Sequence, residues 1–141
     1  MYLIDTNVVS EYRRVGAGRG DPNVAKWALA VPNSQQYLSA LTILETEKGY
    51  LLLARKDTAQ AERLRLWLDA SLYPTAAGRI ISVDREIATR AASLHVPDPR
   101  PHIDALIAAT ALVHNLTVVT RNVSDFAPMG VTLLNPWEPQ D

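Results

Sequence analysis

The stretch from Pro101 to Phe126, PHIDALIAATALVHNLTVVTRNVSDF, constrains this chain more than any other. Pro101 suits a first helical turn, where its missing N–H is no loss. Ile103, Leu106, Ile107 and Ala111 then recur at helical spacing, and Leu112 widens the apolar face. Asn115 can close the helix in the left-handed conformation. LTVVT follows, β-branched, too short for a helix and apolar enough for a buried parallel strand. It runs into RNVSDF, a polar turn. One acid, Asp104, thus sits in the first turn of a helix, and another, Asp125, just past the end of a strand. Ligands of open α/β sheets bind beyond the carboxyl ends of the strands. Asp125 lies where chemistry is expected, and Asp104 joins it if its helix starts at the same edge.

The chain opens with YLI, a short strand, followed by Asp5-Thr6-Asn7 and by VVSEYRR, one or two helical turns. Asp5 has an ordinary alternative role there, because Asp, Thr and Asn all cap helices well. VGAGRGDPN lacks the GxxxxGK[ST] spacing of a phosphate-cradling loop and reads as a flexible connector ending at the helix start Asp21-Pro22. Val24, Trp27, Ala28 and Val31 make a core face rather than a stacking platform for bases. Gln36–Ser39 is the second strand. Ala40–Arg55 is a leucine-rich helix that Ser39 or Thr42 can cap.

That helix carries two acids, Glu45 and Glu47, which cannot share a face. Glu45 lies with Gly49 and Leu52, Glu47 with Ile43 and Leu51. Both sets are apolar, so periodicity does not choose between them. Glu45 is nearer the carboxyl end of the preceding strand, and Glu47 reads as a solvated helix charge. A further helix, Thr58 to Leu72, places Leu64, Trp67, Leu68 and Leu72 on one stripe. Two such helices carry more apolar surface than one small sheet needs. A homodimer face or a helix-in-groove site would use the surplus; so would a larger core. Tyr73-Pro74 starts a loop, RIISV is a third strand, Asp84 caps REIATRAASL, VTLL is a fifth strand and NPWEPQD a surface tail. Strands and helices alternate, which predicts a parallel sheet with helices on both faces.

The 141 residues suit one domain, 1–141. Fourteen basic against fifteen acidic residues give a net charge of −1, which removes any argument from global charge for nucleic-acid binding and leaves only local basic patches. The absence of cysteine excludes disulfides, thiolate metal sites and cysteine nucleophiles. Neither a signal peptide nor a bilayer-spanning run is visible, so the expected compartment is the cytoplasm, with no membrane association.

Asp5, Glu45, Asp104 and Asp125 each fall just after a strand or in the early part of a helix. Four acids converging on one edge repel unless a cation neutralises them. Oxygen-only ligands point to Mg²⁺ or Mn²⁺ rather than zinc. His95, His102 and His114 lack zinc spacing and read as structural. A phosphatase with an aspartyl nucleophile usually wants a second acid two residues on, where Asn7 stands. A receiver-type signalling module needs a late phosphate-binding lysine, but the last lysine is Lys56.

LIDTNVVSE, LSALTILETEKG, and HIDALIAATAL followed by VVTRNVSDF, in that order and at those distances, resemble a PIN-domain ribonuclease. The likeness spans nearly the whole chain and points to VapC-type toxins, including the FitB-like branch. It implies a three-layer α/β/α sandwich with a parallel central sheet of about five strands, and Mg²⁺-dependent endonucleolytic cleavage of RNA. It also implies homodimerisation and inhibition by a cognate antitoxin. The family's acidic site maps onto Asp5, Glu45, Asp104 and Asp125, which selects Glu45 over Glu47. Its polar helpers map onto Thr6, Asn7, Thr120 and Asn122. A PIN-like fold that binds without cleaving would be marked by a missing acid, and none is missing. Arg13, Arg14, Arg85 and Arg121 are the cations available for phosphate contacts. The connector Val15–Gly20 is the least family-typical segment.

Overall fold

Strand β1 (Tyr2–Ile4) ends at Asp5, and helix α1 (Thr6–Gly16) begins immediately after it. At 11 residues α1 is longer than the one or two turns expected, because Val8, Val9 and the half-buried Tyr12 bury one face throughout. Helix α2 (Pro22–Ala30) has Asp21 as its cap, accepting the N–H groups of Asn23 and Val24. Trp27 meets Tyr2 edge-on at 5.2 Å between ring centroids, so it is core, as its spacing implied. After β2 (Gln36–Ser39) the chain enters α3 (Ala40–Ala54), capped by Ser39, whose hydroxyl accepts from Leu41 N–H. Thr42 is instead fully buried.

Helix α4 (Thr58–Trp67) does not stop where a loop was expected. It passes through a π-helical segment, Leu68–Leu72, into the short α5 (Tyr73–Ala76). The chain remains helical through Tyr73-Pro74 because Pro74 occupies the opening turn of α5, where an N–H is dispensable. Strand β3 spans only Ile80–Ile81. Asp84 caps α6 (Arg85–Leu94) through Ile87 N–H. Helix α7 (His102–His114) takes Pro101 as its cap residue and ends at Asn115, at φ 56°. Strand β4 (Thr117–Val119) follows, and the expected polar turn contains one helical turn, α8 (Val123–Phe126). Strand β5 spans Leu133–Leu134.

The computed structural model describes residues 1–141. All five strands are parallel, in the order β3-β2-β1-β4-β5. Strand periodicity splits them cleanly. Leu3 and Val118 point into one core with Ala105, Ile107, Ala108 and Phe126. Ile4, Leu38 and Val119 point the other way, onto Val8, Val9, Trp27 and Leu68. Helices therefore cover both faces, giving the three-layer sandwich. Trp137, in the segment expected to be a surface tail, packs against the second core, and its carbonyl accepts from Asn23 Nδ2 at 2.8 Å. Leu44, Leu51, Leu52 and Leu66 stay exposed on α3 and α4, so the leucine surplus is not consumed by the core. No helix is long and apolar enough to cross a membrane.

Phe126 closes the first core and is 1% exposed, whereas Leu29 is 90% exposed. Phe126→Ala should cost about 3–5 kcal/mol in urea denaturation, and Leu29→Ala less than about 0.5 kcal/mol.

Candidate active site

The chain leaves β1 for β2 on one side and returns to β4 on the other. The carboxyl ends of β1 and β4 thus bracket the point where strand order reverses, where such sheets form their crevice. Asp5 stands there. Its N–H donates to Val119 O at 2.9 Å. Its Oδ1 accepts Thr6 N–H at 2.8 Å, so the capping role is real. Its Oδ2 accepts the Thr120 hydroxyl at 2.8 Å and lies 3.4 Å from Asn7 Nδ2. Burial raises the Asp5 carboxyl above the ordinary carboxylate range, the Thr120 and Thr6 hydrogen bonds offset part of that, and the Glu45 charge adds to it.

Thr6 joins two acids, because its N–H serves Asp5 while its hydroxyl donates to Glu45 Oε1 at 2.6 Å. Glu47 has a different fate from the solvated charge expected of it. It accepts two hydrogen bonds from the Arg65 guanidinium, each 3.0 Å, and a third from the Tyr73 hydroxyl. Those bonds hold its carboxyl below the usual range and tie α3 to α4 and α5.

Asp104 is half-buried in the first turn of α7, and Asp125 is exposed on α8. Burial raises the Asp104 carboxyl, and the charges of Asp5, Asp125 and Glu45 raise it further, in that order. The four acids therefore share one electrostatic neighbourhood. None has a basic partner, since the ion pairs of the chain involve only Glu11, Glu47 and Asp69. An uncompensated, oxygen-only donor set suits a hard divalent cation. No three of these side chains are gathered as a preformed cage.

The polar helpers split. Thr6, Asn7 and Thr120 hold acids through side chains, whereas Asn122 takes part through its backbone, its N–H donating to Thr120 Oγ1 at 3.0 Å and its carbonyl accepting Asp125 N–H. The arginines split too. Arg13 and Arg14 line a cleft of about 360 Å³ with Thr6 and Glu45. Arg121 lies in a neighbouring cleft with Asn7 and Arg14. Arg85 belongs to a shallow depression on α6 that none of the four acids lines. His95 is structural, its Nδ1 accepting Arg100 N–H at 3.0 Å.

The fold and this crevice are those of a PIN domain. Residues 2–127 match that family, and the chain belongs to it. Over 97% of its length it is 35% identical to the protein named toxin FitB of Neisseria gonorrhoeae, covering 99% of that protein. A protein named VapC ribonuclease Y4jK, of Sinorhizobium fredii, is 32% identical over 99% of both chains. The crystal structure of FitAcB from Neisseria gonorrhoeae superposes with a TM-score of 0.88 at 34% identity, covering 97% of this chain and 99% of that one.

With its Asp104 carboxyl raised, the native state binds more protons than the unfolded chain between the ordinary and the raised pKa. Stability should fall as pH rises through that window and stay lower above it. Asp104→Asn should raise the melting temperature at neutral pH in chelator. A favourable acid at a helix start predicts the opposite sign, so melts of the two proteins decide.

Proposed function

We propose that this chain is a metal-dependent endoribonuclease that hydrolyses RNA phosphodiester bonds and serves as the toxin of a type II toxin–antitoxin pair. One observation carries the reading: Asp5, joined to Glu45 through Thr6, stands at the switch point of a PIN fold, the charge of Asp125 is felt at Asp104, and none of the four acids has a basic partner. The full-length likeness to proteins named toxin FitB and VapC ribonuclease supports it. Two of the similar structures are of FitAcB and of FitAB bound to a DNA fragment, which supports pairing with a cognate antitoxin. The exposed leucines of α3 and α4 supply surface for that partner and for a homodimer. Its working compartment is the cytoplasm.

Asp5, Glu45, Asp104 and Asp125 are the residues to hold Mg²⁺ or Mn²⁺, with exposed Asp125 and half-buried Asp104 completing a set that Asp5 and Glu45 begin. Such a cation supplies Lewis-acid stabilisation of the phosphodiester and of its leaving oxygen. The chain's own residues prepare that chemistry. Thr120 and Asn7 fix Asp5 Oδ2, and Thr6 fixes both Asp5 Oδ1 and Glu45 Oε1, so two carboxylates are oriented before substrate arrives. Arg13 and Arg14, beside Glu45, offer donors for the RNA backbone.

Asp5→Asn should stay folded, because Asn caps as well as Asp, with a lowered melting temperature, because its amide nitrogen would face the Thr120 and Asn7 donors, and should lose RNA cleavage by more than about 100-fold, beyond the roughly 10–100-fold expected when an orienting partner such as Thr120 is removed. Gel assays with Mg²⁺ on the purified proteins test this; undiminished cleavage would remove Asp5 from the site. Glu45→Gln should cost far more activity than Glu47→Gln. Glu47→Gln should instead lower the melting temperature, since Arg65 and Tyr73 lose their shared acceptor.

A further inference from the structure

Beside the cleft that holds Glu45, and sharing Ser10 and Arg14 with it, lies a second cleft of about 520 Å³. It begins one hydrogen bond from the buried acid. Asn7 Nδ2 faces Asp5 Oδ2, and Asn7 Oδ1 accepts the backbone N–H of Arg121 at 3.2 Å. The Arg121 guanidinium lies over the indole of Trp137, 5.0 Å from the ring centroid. The indole is itself anchored. The backbone N–H of Trp137 donates to Asn135 Oδ1, its backbone carbonyl accepts from Asn23, and its ring packs against the second core. On the other wall the connector is folded tightly onto the end of α1. Arg19 N–H donates to Arg14 O at 2.9 Å, and Arg14 Nη2 returns to Arg19 O at 3.2 Å. A Cβ on Gly20 would lie 2.3 Å from Val15 Cγ2, so glycine is required for that approach.

The charges in this cleft are unevenly satisfied. Arg14 is paired with Glu11, and the Asp21 carboxylate is occupied by the backbone at the start of α2. Arg19 and Arg121 have no carboxylate partner. A guanidinium held over an indole keeps a fork of N–H donors suited to bidentate binding of a phosphate.

We infer that this cleft is a subsite for a backbone phosphate of the RNA strand neighbouring the scissile one, bound by Arg121 and Arg19. Trp137 is its positioning residue, acting through Arg121. The inference rests on the ribonuclease reading above. Of the subsite's residues, Arg121 and Arg19 lie within the matched residues 2–127 and Trp137 beyond them.

The test is equilibrium binding of a labelled single-stranded oligoribonucleotide, in chelator, across a potassium chloride series. Each lost phosphate contact on a single strand lowers the slope of log affinity against log salt by about 0.7. Arg121→Ala and Arg19→Ala should each weaken binding and lower the slope, and because both arginines hold one phosphate the two reductions together should not exceed that amount, while Arg90→Ala, on α6, should change neither. Trp137→Ala should move the slope in the same direction and Trp137→Phe should restore it. The Arg121→Ala/Trp137→Ala double variant should be no worse than Arg121→Ala. Arg121 is exposed, so its variant reports on the subsite even if Trp137→Ala unfolds. A wild-type slope in Arg121→Ala, additive losses in the double variant, or wild type with no salt-dependent binding would overturn the subsite. The ribonuclease reading is checked separately by wild-type cleavage with Mg²⁺: intact cleavage with an unchanged Arg121→Ala slope overturns the subsite alone, and no cleavage overturns both.

Discussion

The hydrogen bond from Thr120 to Asp5 is the contact on which the rest of this molecule depends. It spans 115 positions of sequence and joins the carboxyl ends of the two central strands. Burying an ionisable carboxyl is costly unless donors reach it. Here the acid stands at the end of β1 and its donors come from the end of β4 and the first turn of α1, so the strands must be in register before the acid is satisfied. Asp5 is thereby a helix cap, a link between strands and an oriented carboxylate. Its two oxygens divide these roles, Oδ1 capping the helix and Oδ2 linking the strands.

The two glutamates of α3 illustrate how position converts one chemistry into two. Glu45 accepts from a single hydroxyl, feels the charges of Asp5 and Asp104, and has no basic partner. Glu47, two residues on, meets a guanidinium and a phenol and is fully engaged in holding three helices together. Segregating the compensated acid from the uncompensated one keeps Arg65 with Glu47 and leaves Glu45 without a basic partner.

Much of this was legible in the sequence because the signals were local. Asp21 and Asp84 start helices with their side-chain carboxylates, Asn115 stops one with its left-handed backbone, and Tyr2–Ile4 and Thr117–Val119 are β-branched or apolar runs. The choice between Glu45 and Glu47 was not local. Helix α3 runs between the layers, with Leu41 packed against one core and Ile43 and Tyr50 against the other, so no single apolar face exists to be read. Likeness to a family supplied what periodicity could not. Trp137 was illegible for a related reason: what fixes it is Asn23, 114 positions away, while its own neighbours are proline, glutamate and glutamine. The helical continuation through Tyr73-Pro74 was hidden by a proline that breaks helices in their interior but not in their opening turn.

Both borders of the sheet, β3 and β5, are only two residues long. A border that short offers a newcomer almost no free N–H and C=O groups to align with, so the sheet cannot readily be extended by an added strand. Recognition is thereby confined to side chains. Whatever grips this molecule must read helix surfaces and clefts, and a disordered partner segment gains more by coiling against the exposed leucines of α3 and α4 than by stretching alongside the sheet. The same economy at the borders guards the folded chain against stacking edge to edge with its own copies.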